Sequence, residues 1–283
     1  MNSKYSESDL YILQAVTNLH VGSGDNNFGI IDNQIQRDVT TNRPTINASS
    51  LKGGLREYFD PFEDDTQFVK YVFGSHPVKD RGNDSQKGAY SFLSANLLVL
   101  PLRSNTKAFF RATSPAIIEE LLENLSIFNI SIKEKEALEK LSKLEPKEDE
   151  AIIFEELENT IIEDIKAIPN KLDTNALKTL ENILGKDIAI LANNVFDNYC
   201  ENLPVIARNH LEDGTSKNLW YEEIVPRESR FYYIVTKPTN LDEKDSDKIK
   251  KFEERFEQNE LIQIGANATV GYGYTNIKKI EKV

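Results

Sequence analysis

The chain is poor in the residues that build disulfide-linked or zinc-bound proteins, and it lacks long apolar runs. Its 283 residues include one cysteine and one tryptophan. Cys200 therefore has no internal disulfide partner, and no companion ligands for a zinc site lie near it in the sequence. No run reaches the roughly 18 consecutive apolar residues of a membrane span, and the first residues lack the basic and apolar segments of a signal peptide. We expect a cytoplasmic protein that does not contact a membrane.

Basic residues are also in the minority, which disfavours nucleic-acid binding at first sight. The chain has 34 lysines and arginines against 46 acidic residues, a net charge of −12, whereas phosphate contacts normally need clustered lysine and arginine. The imbalance is local, because residues 116–190 hold 18 acidic and nine basic residues and thus −9 of the total. The remaining chain is close to neutral, and its composition allows a local basic groove.

The hydrophobic pattern predicts one compact domain that mixes strands and helices. Residues 10–17 form a mostly apolar run that is typical of a covered strand. Residues 49–59 have the pattern of a serine-capped helix, with Leu51, Leu55 and Phe59 on one face. Further strands are predicted at 96–102, 107–111, 204–208, 219–224, 230–236, 261–264 and 275–277, and further helices at 66–73, from Ser114-Pro115 onward and at 243–258.

The predicted helix at 49–59 combines two basic residues with two glycines. Lys52 and Arg56 are four residues apart and so share a second face of the helix. The two glycines between them each cost about 1 kcal/mol relative to alanine, which indicates that another group approaches this backbone closely. The preceding residues, 19–47, are rich in glycine, asparagine and aspartate, and a loop of that length in a compact domain is usually functional.

Six segments agree in order and spacing with one family of proteins. They are LHVGSGDNNFGIIDNQIQRD (19–38), INASSLKGGLREYF (46–59), SFLSANLLVLPLRS (91–104), ATSP (112–115), LPVIARNHLEDGTSKNLWYEEIVP (203–226) and IQIGANATVGYGY (262–274). Together they resemble the backbone subunits of type III-B (Cmr) CRISPR effector complexes, which belong to the RAMP superfamily. The glycine-rich segment 262–274 is shared by many RAMP proteins, whereas the combination of 19–38, 46–59 and 203–226, with its NLWYEE, is specific.

The resemblance implies an α+β fold in a single RAMP-type domain spanning residues 1–283. It consists of a ferredoxin-like (RRM-like) palm, a mostly helical acidic insertion at 116–200, and a projecting thumb β-hairpin at 203–226. Copies of the chain are implied to stack in a filament along a guide RNA, beside other Cmr complex subunits. Each thumb is implied to wedge into the duplex of guide and single-stranded target RNA. The charge of the insertion is typical of a solvated surface, and contact with a neighbouring subunit is the alternative.

Several residues are implied to contact RNA. Lys52 and Arg56 would hold guide phosphates without reading sequence, which leaves recognition to base pairing. We favour Trp220 as the anchor of the thumb over Trp220 as a base-stacking wedge, because a lone tryptophan between strands is usually packing. The full set of predicted RNA contacts is Arg37, Ser50, Lys52, Gly53, Arg56, Lys217, Trp220, Gly271 and Gly273.

Asp32 is the predicted catalytic residue, because the resemblance places the aspartate needed for target cleavage at the end of GIID (29–32). A target nucleotide displaced by the thumb can swing its 2′-hydroxyl in line with its own phosphate. Asp32 would then bind a divalent metal, Mg²⁺ or Mn²⁺, or act as the general base. One carboxylate is a poor metal site by itself, so phosphate oxygens and water would complete the shell. His20 is the second candidate, as a general acid or base or as a structural histidine, and a role for Glu222 stays open.

Three other functions compete with this interpretation. The first is a binding-only backbone subunit whose Asp32 does not cut RNA. The second is a guide-processing endonuclease that acts as a monomer through His20, which the thumb-like NLWYEE segment disfavours. The third is a protein-interaction module without an RNA role, motivated by the net charge of −12. Salt-sensitive RNA retention would exclude the third function, because phosphate contacts weaken steeply with salt.

Overall fold

A large mixed sheet lies at the centre of the computed structural model, and helices pack around it. The residues described are 6–24, 29–60, 66–75, 85–239, 243–257 and 261–283. The strands are β1 (Ser6–Ala15), β2 (Thr45–Ile46), β3 (Ser91–Phe92), β4 (Ala95–Arg103), β5 (Phe109–Thr113), β6 (Glu150–Ile153), β7 (Ile161–Ile162), β8 (Ile165–Pro169), β9 (Ile188–Ile190), β10 (Val205–Glu212), β11 (Thr215–Glu223), β12 (Arg230–Pro238), β13 (Leu261–Gln263) and β14 (Tyr274–Lys279). The helices are α1 (Ala48–Phe59), α2 (Thr66–Phe73), α3 (Pro115–Ile127), α4 (Lys135–Ser142), α5 (Thr174–Leu180), α6 (Asn193–Glu201) and α7 (Glu243–Glu257).

Strand β1 lies in the interior of the sheet, between β12 and β14, and pairs antiparallel with both. Its residues Leu10 to Leu13 are all buried, since both faces of the strand are covered. A strand covered on both faces reads as a continuous apolar run, which is why the sequence signal was clear here. The predicted strand at 10–17 is therefore confirmed, although it begins earlier, at Ser6, and ends at Ala15.

An aromatic core joins helices α1 and α7 to one face of β1. The Phe59 and Phe252 rings stack with centroids 5.2 Å apart, and Phe256 packs edge-on against Tyr11 at 5.1 Å. The three apolar residues predicted to share a face of α1, which end with Phe59, are fully buried. This packing fixes α1 on the sheet, so that its opposite face, with Lys52 and Arg56, is directed away from the core.

The start of α1 differs from the prediction of a serine cap. The N-cap residue is Asn47, and its side chain makes no capping hydrogen bond. Instead, the N–H of Ala48 donates to Ser94 Oγ at 3.1 Å. A free helix N-terminus can be satisfied by any nearby acceptor, and here a side chain that precedes β4 supplies one, which no local sequence pattern could indicate.

The acidic insertion at 116–200 is more mixed than predicted. It contains helices α3 to α6, but also strands β6 to β9, which extend the sheet beyond β5. Strand β9 pairs parallel with β5 and antiparallel with β6. The sequence pattern missed these strands because three of them have only two to four residues, too short for a periodic signal.

Strands β10 and β11 form an antiparallel hairpin that is a separate two-stranded sheet. Asp213 and Gly214 make its turn with positive φ angles of 51° and 76°, as expected for an Asp-Gly turn. The predicted hairpin is thus present, and its strands run further toward the turn than the sequence indicated. No helix within the described residues is long and apolar enough to cross a membrane.

Candidate functional site

Asp32 is exposed and lies near the middle of the loop between β1 and β2, directly beside the hairpin. Its Oδ2 accepts a hydrogen bond from the backbone N–H of Tyr221 on β11 at 2.7 Å. In the described part of the chain, no residue bonds to its second oxygen, Oδ1. The exposed side chain is therefore held in place through one oxygen, while the other has no bond within the described chain.

The outer edge of β11 holds the loop through four backbone groups. Residues along an antiparallel strand alternate in the direction of their N–H and C=O groups, and those of Tyr221 and Glu223 face away from β10. Tyr221 donates to Asp32 Oδ2 and accepts from the N–H of Asn33 at 3.1 Å. Glu223 donates to the carbonyl of Asn33 at 2.9 Å and its carbonyl contacts His20 Nδ1 at 2.7 Å. The two predicted catalytic residues thus flank a single bridge between Asn33 and the hairpin.

His20 is only 5% exposed, and this burial limits the access of its side chain to a substrate. Its Nδ1 is bonded to the Glu223 carbonyl, an acceptor, so the proton is on Nδ1 and Nε2 is the basic nitrogen. The backbone carbonyl of His20 also accepts from the N–H of Ala266 at 2.9 Å. These contacts support the structural interpretation of His20, since a buried ring whose Nδ1 is bonded to the chain has little access to a substrate.

Two adjacent glutamates at the base of the hairpin are buried and point to opposite faces of β11. The Glu223 carboxylate accepts from the N–H of Ile35 at 3.1 Å and forms an ion pair with Arg37. Arg37 also donates to the carbonyls of Asn42 and Cys200, at 2.8 and 2.9 Å. The guanidinium predicted to contact RNA is therefore already bonded within the chain, which favours a structural role for Arg37.

Glu222 joins the other face of the hairpin to the glycine-rich segment. Its Oε1 accepts from Asn267 Nδ2 at 2.9 Å and lies 2.9 Å from a guanidinium nitrogen of Arg208. The second contact has the geometry of an ion pair and not of an aligned hydrogen bond. The Arg208 guanidinium also lies over the Tyr272 ring, 4.7 Å from its centroid. The Glu222 carboxylate is thus already bonded within the chain.

The metal-binding capacity of this site is small. Within the described residues, no group of three or more histidine, cysteine, aspartate or glutamate side chains is arranged to hold a metal ion. Asp32 supplies one exposed carboxylate, whereas Glu222 and Glu223 are bound to arginines. A hard cation takes six or more oxygen ligands, so these side chains fit a divalent ion only where RNA phosphate oxygens and water provide most of the shell.

Lys52 and Arg56 line a cavity of about 660 Å³ on the outer side of α1, together with Gly53 and the acidic Glu57 and Asp60. The Arg56 guanidinium also donates to a backbone carbonyl of the chain at 3.3 Å. Burial lowers the pKa of Lys52, and the neighbouring Arg56 lowers it further. A Cβ atom on Gly53 would meet no other atom within 4 Å. The basic pair and an open stretch of backbone are therefore on the same surface, as predicted.

The two glycines of α1 serve different purposes. A Cβ atom on Gly54 would lie 3.2 Å from Ile264 Cγ1 and 3.3 Å from the carbonyl of Gln263. Gly54 is thus needed for the packing of α1 against β13 and the residue after it. Of the two glycines, only Gly53 leaves its backbone open to a ligand. The prediction that another group approaches the helix backbone therefore applies to Gly53 and not to Gly54.

Gly271 and Gly273 differ in the same way, although both have a φ near +80°. A Cβ atom on Gly271 would meet nothing within 4 Å, whereas one on Gly273 would collide with the carbonyl of Ile264. Gly273 is required by close packing of the chain, and Gly271 lies exposed at the end of a short 3₁₀ turn. The prediction that each contacts RNA is easier to reconcile with Gly271.

The predicted RNA contacts on the hairpin are accessible. Lys217 is exposed near the tip, with its Nζ 3.6 Å from Glu212 Oε2. Trp220 is half-buried and lies outside the hydrophobic core, opposite Arg208 in the hairpin register. The structure does not support the favoured interpretation of Trp220 as a core anchor, because no second sheet covers the hairpin in the described chain.

Comparison with known proteins identifies the family. The RAMP superfamily matches residues 12–276 of the chain. The chain belongs to the RAMP superfamily. This match includes the Asp32 loop, the hairpin and the glycine-rich segment, so the geometry above is that of a RAMP protein.

This RAMP protein is similar over its length to a curated relative. It is 29% identical to the CRISPR system Cmr endoribonuclease Cmr4 of Pyrococcus furiosus, across 94% of this chain and 93% of that protein. It is 27% identical to the CRISPR system CMR subunit Cmr4 of Saccharolobus solfataricus, across 68% of this chain and 56% of that protein.

Solved structures show the same fold as this RAMP protein. The crystal structure of oligomeric Cmr4 from Pyrococcus furiosus superposes with a TM-score of 0.73, at 25% identity, over 96% of this chain and 98% of that one. The cryo-EM structure of the type III-B Cmr-beta complex bound to cognate target RNA contains a chain that matches with a TM-score of 0.77, at 20% identity, over 97% and 98%. The predicted α+β RAMP fold is therefore confirmed.

Sequence reasoning missed several residues that build the site of this RAMP protein. Asn33 contributes only its backbone, so its side chain carries no signal. Arg208 was missed because its partners, Glu222 and Tyr272, are distant in sequence or lie on the far strand of the hairpin. Gln36 was passed over as an ordinary polar residue within the loop, although its side chain is buried.

Proposed function

We propose that this RAMP protein is a backbone subunit of a type III-B CRISPR effector complex, which binds guide RNA and cleaves complementary target RNA at Asp32. The proposal is supported most directly by the exposed Asp32 carboxylate, which one hydrogen bond holds at the edge of the hairpin while its second oxygen has no bond within the described chain. The Pyrococcus relative, which aligns over nearly the whole chain, is named an endoribonuclease. The chain would act in the cytoplasm, with copies of itself and other Cmr subunits as partners.

The hairpin at 203–226 acts in this proposal as the thumb that separates a target nucleotide from the guide. Its exposed side chains include Leu219 and Tyr221, which are 53% and 40% exposed. Apolar and aromatic groups of this kind stack against bases of any sequence. Because Tyr221 also holds Asp32, a nucleotide displaced by the thumb arrives beside the carboxylate.

Cleavage then proceeds through the target's own 2′-hydroxyl. Its oxygen attacks the adjacent phosphorus in line, and the bond to the 5′-oxygen of the next nucleotide breaks. The leaving 5′-oxygen takes a proton from solvent water, so the products are a 2′,3′-cyclic phosphate and a 5′-hydroxyl. Asp32 takes the proton from the 2′-hydroxyl as general base or, alternatively, holds a divalent ion by its second oxygen. A bound Mg²⁺ or Mn²⁺ supplies charge stabilisation at the phosphate when it is present. His20, being buried, keeps the loop in place and does not transfer a proton.

Guide RNA binds in the proposal along α1. Lys52 and Arg56 lie there beside the open backbone of Gly53, in a cavity that Glu57 and Asp60 also line. The two basic side chains hold phosphates without reading bases. The net charge of −12 does not oppose this, because the acidic residues are concentrated in the insertion at 116–200, which we propose is a solvated surface or meets a neighbouring subunit.

A binding-only backbone subunit is the second candidate. It is favoured by the scarcity of chemical groups near Asp32, since the neighbouring carboxylates of Glu222 and Glu223 are buried and paired with arginines. In that case Asp32 would serve to attach the loop to the hairpin, and target RNA would be held but not cut.

The deciding experiment uses the assembled complex with guide RNA and a labelled complementary RNA, in Mg²⁺, in Mn²⁺ and in EDTA. Wild type and Asp32→Ala are compared for products and for target binding. A regularly spaced ladder that is lost in the mutant, with binding retained, supports the nuclease. An unchanged ladder removes Asp32 from the mechanism. The absence of a ladder from both proteins supports the binding-only subunit.

A further inference from the structure

Gln36 lies four residues after Asp32, and its buried side chain connects the loop to the start of α1. Its Nε2 donates to the carbonyl of Gly22 at 3.2 Å and to Ser50 Oγ at 2.9 Å. Its Oε1 accepts from the N–H of Asn47 at 2.8 Å. The amide therefore makes hydrogen bonds to the loop after β1 and to the first turn of the helix.

The network leaves only one orientation for this amide. A backbone carbonyl can only accept, and a backbone N–H can only donate. Gly22 therefore requires the NH₂ group on its side, and Asn47 requires the oxygen on the other side. The amide cannot be flipped without losing both bonds, so Gln36 always presents an N–H to Ser50.

The fixed orientation of the Gln36 amide determines how the Ser50 hydroxyl can bond. Because Gln36 is a donor in that pair, Ser50 Oγ must be the acceptor, and its single hydrogen stays available for another partner. Serine in a helix often donates to the carbonyl one turn earlier, but Ser50 makes no such bond in the described part of the chain. Its hydroxyl is half-buried and lies one turn from the open backbone of Gly53.

We propose that Gln36 is a positioning residue that makes the Ser50 hydroxyl an obligate donor toward a guide phosphate. Phosphate oxygens can only accept hydrogen bonds. A serine hydroxyl that donates its one hydrogen to the protein interior would therefore have none to donate to a phosphate. Gln36 does not touch the RNA in this arrangement, and acts through Ser50. The inference rests on the proposed function, since it assumes that guide RNA lies along α1.

The two partners belong to regions with separate tasks in the proposed function. Gln36 is on the same loop as Asp32, and its backbone N–H donates to the carbonyl of Val21 at 2.8 Å. Ser50 is on the helix that holds the guide. The hydrogen bond between them therefore fixes the position of the cleavage loop relative to the bound guide.

The test is a set of substitutions in the complete complex, with guide-RNA affinity measured by titration of fluorescent guide. Gln36→Glu replaces the donor that faces Ser50 by an acceptor, so that the Ser50 hydroxyl must donate inward. Gln36→Met offers Ser50 neither a hydrogen-bond donor nor an acceptor. Ser50→Ala is then made in wild type and in both backgrounds. Gln34→Glu, on the same loop, controls for the added negative charge.

We expect Ser50→Ala to weaken guide binding on the order of tenfold in wild type, as for a lost hydrogen bond to a charged group. In the Gln36→Met background it should weaken guide binding by less, because nothing there keeps the hydroxyl from donating inward. In the Gln36→Glu background it should have no further effect. Equal effects of Ser50→Ala in all three backgrounds would overturn the proposal, as would no effect in wild type. A wild-type complex that does not bind guide at all would contradict the proposed function as well.

If Gln36→Glu does not fold, the proposal can still be tested with Ser50→Ala and Ser50→Cys. Their guide-RNA affinities are compared in wild type and in the Gln36→Met background. Cysteine is a weak donor, so it should rescue little of the affinity in wild type. Full rescue would show that donation by the hydroxyl is not what binds the guide, and would overturn the proposal.

Discussion

The Asp32 carboxylate accepts a hydrogen bond from the backbone N–H of Tyr221, 189 residues later in the chain, at 2.7 Å. Neighbouring bonds from Asn33 to both Tyr221 and Glu223 make the same connection through backbone atoms alone. The loop that carries the proposed catalytic group and the hairpin that meets the target are thus one rigid unit. A displacement of the hairpin moves Asp32 with it.

Asp32→Asn should separate the charge of this residue from its structural bond. The asparagine oxygen can still accept from Tyr221, so thermal unfolding should be unchanged. The single-turnover rate of target cleavage should fall by about a hundredfold or more, the usual value of a positioned acid or base. Asp213→Asn at the hairpin turn is the matched control and should cleave normally. Wild-type cleavage by Asp32→Asn would show that the negative charge is not needed.

Gly53→Ala should stabilise the protein and lower its affinity for guide RNA. An alanine in the exposed middle of a helix is about 1 kcal/mol better than glycine, and its Cβ atom would meet no protein atom within 4 Å. The same methyl group would occupy the space proposed for RNA. Urea unfolding and guide titration measure the two effects. Gly54→Ala, which crowds Ile264, should instead destabilise the fold; tighter guide binding by Gly53→Ala would be the contrary result.

Glu223→Gln should be costly, although the residue is not proposed to touch RNA. It removes the negative charge paired with the largely buried guanidinium of Arg37. Breaking one side of a buried pair costs about 3 kcal/mol, because the remaining charge is left without its counter-charge. Denaturant unfolding checks this value. Glu212→Gln, whose partner Lys217 is exposed, should have little effect, and equal stability of the two variants would contradict the burial argument.

Lys237→Met should change how stability depends on pH. Burial by itself would raise the pKa of Asp9, but hydrogen bonds from Lys237 and Lys282 outweigh it and lower the pKa below its ordinary value of 3.8. A carboxyl with a lowered pKa contributes stability above its unfolded pKa, and that stability is lost as the pH falls through the folded pKa. The wild type should therefore lose stability below about pH 4.

In the Lys237→Met variant, Asp9 keeps its burial and its contact with Lys282 but loses the contact with Lys237. Because a counter-charge remains, the free energy of unfolding at pH 7 should drop by less than the roughly 3 kcal/mol of a fully unpaired buried charge, and the difference from wild type should shrink as acid neutralises Asp9. Urea unfolding between pH 3 and pH 8 measures both. Lys250→Met removes an exposed i,i+4 pair and should follow the wild-type curve. A mutant curve parallel to that of wild type would show that Asp9 is not coupled to Lys237.

Local chemistry made part of this structure predictable from the sequence. The buried face of α1 follows from the spacing of its apolar residues, and the hairpin follows from Asp213-Gly214 between two strands. The position of the α1 cap was wrong, because Ser94 supplies an acceptor from outside the helix. The short strands of the insertion were missed because each is defined by its partner in the sheet and not by its own sequence.

The arrangement of the site was only partly predictable. A motif indicated Asp32, but nothing in the sequence indicates that its carboxylate binds Tyr221, since such contacts have no spacing rule. The prediction for Trp220 followed the general tendency of tryptophan to pack in a core. Trp220 is only half-buried, because no layer of the described residues covers the hairpin. Gln36 had no signal at all, because a buried amide is recognised only from its three partners.

The backbone hydrogen bonds at Asn33 also cover part of the exposed edge of strand β11. An exposed strand edge with unpaired N–H and C=O groups is a template on which other chains add strands and form aggregates. On β11 the outward groups of Tyr221 and Glu223 are already bonded to Asp32, Asn33 and His20. This stretch of the hairpin can therefore project into solvent during synthesis and assembly without seeding fibres, and the side chain at position 33 is free to vary while its backbone closes the edge.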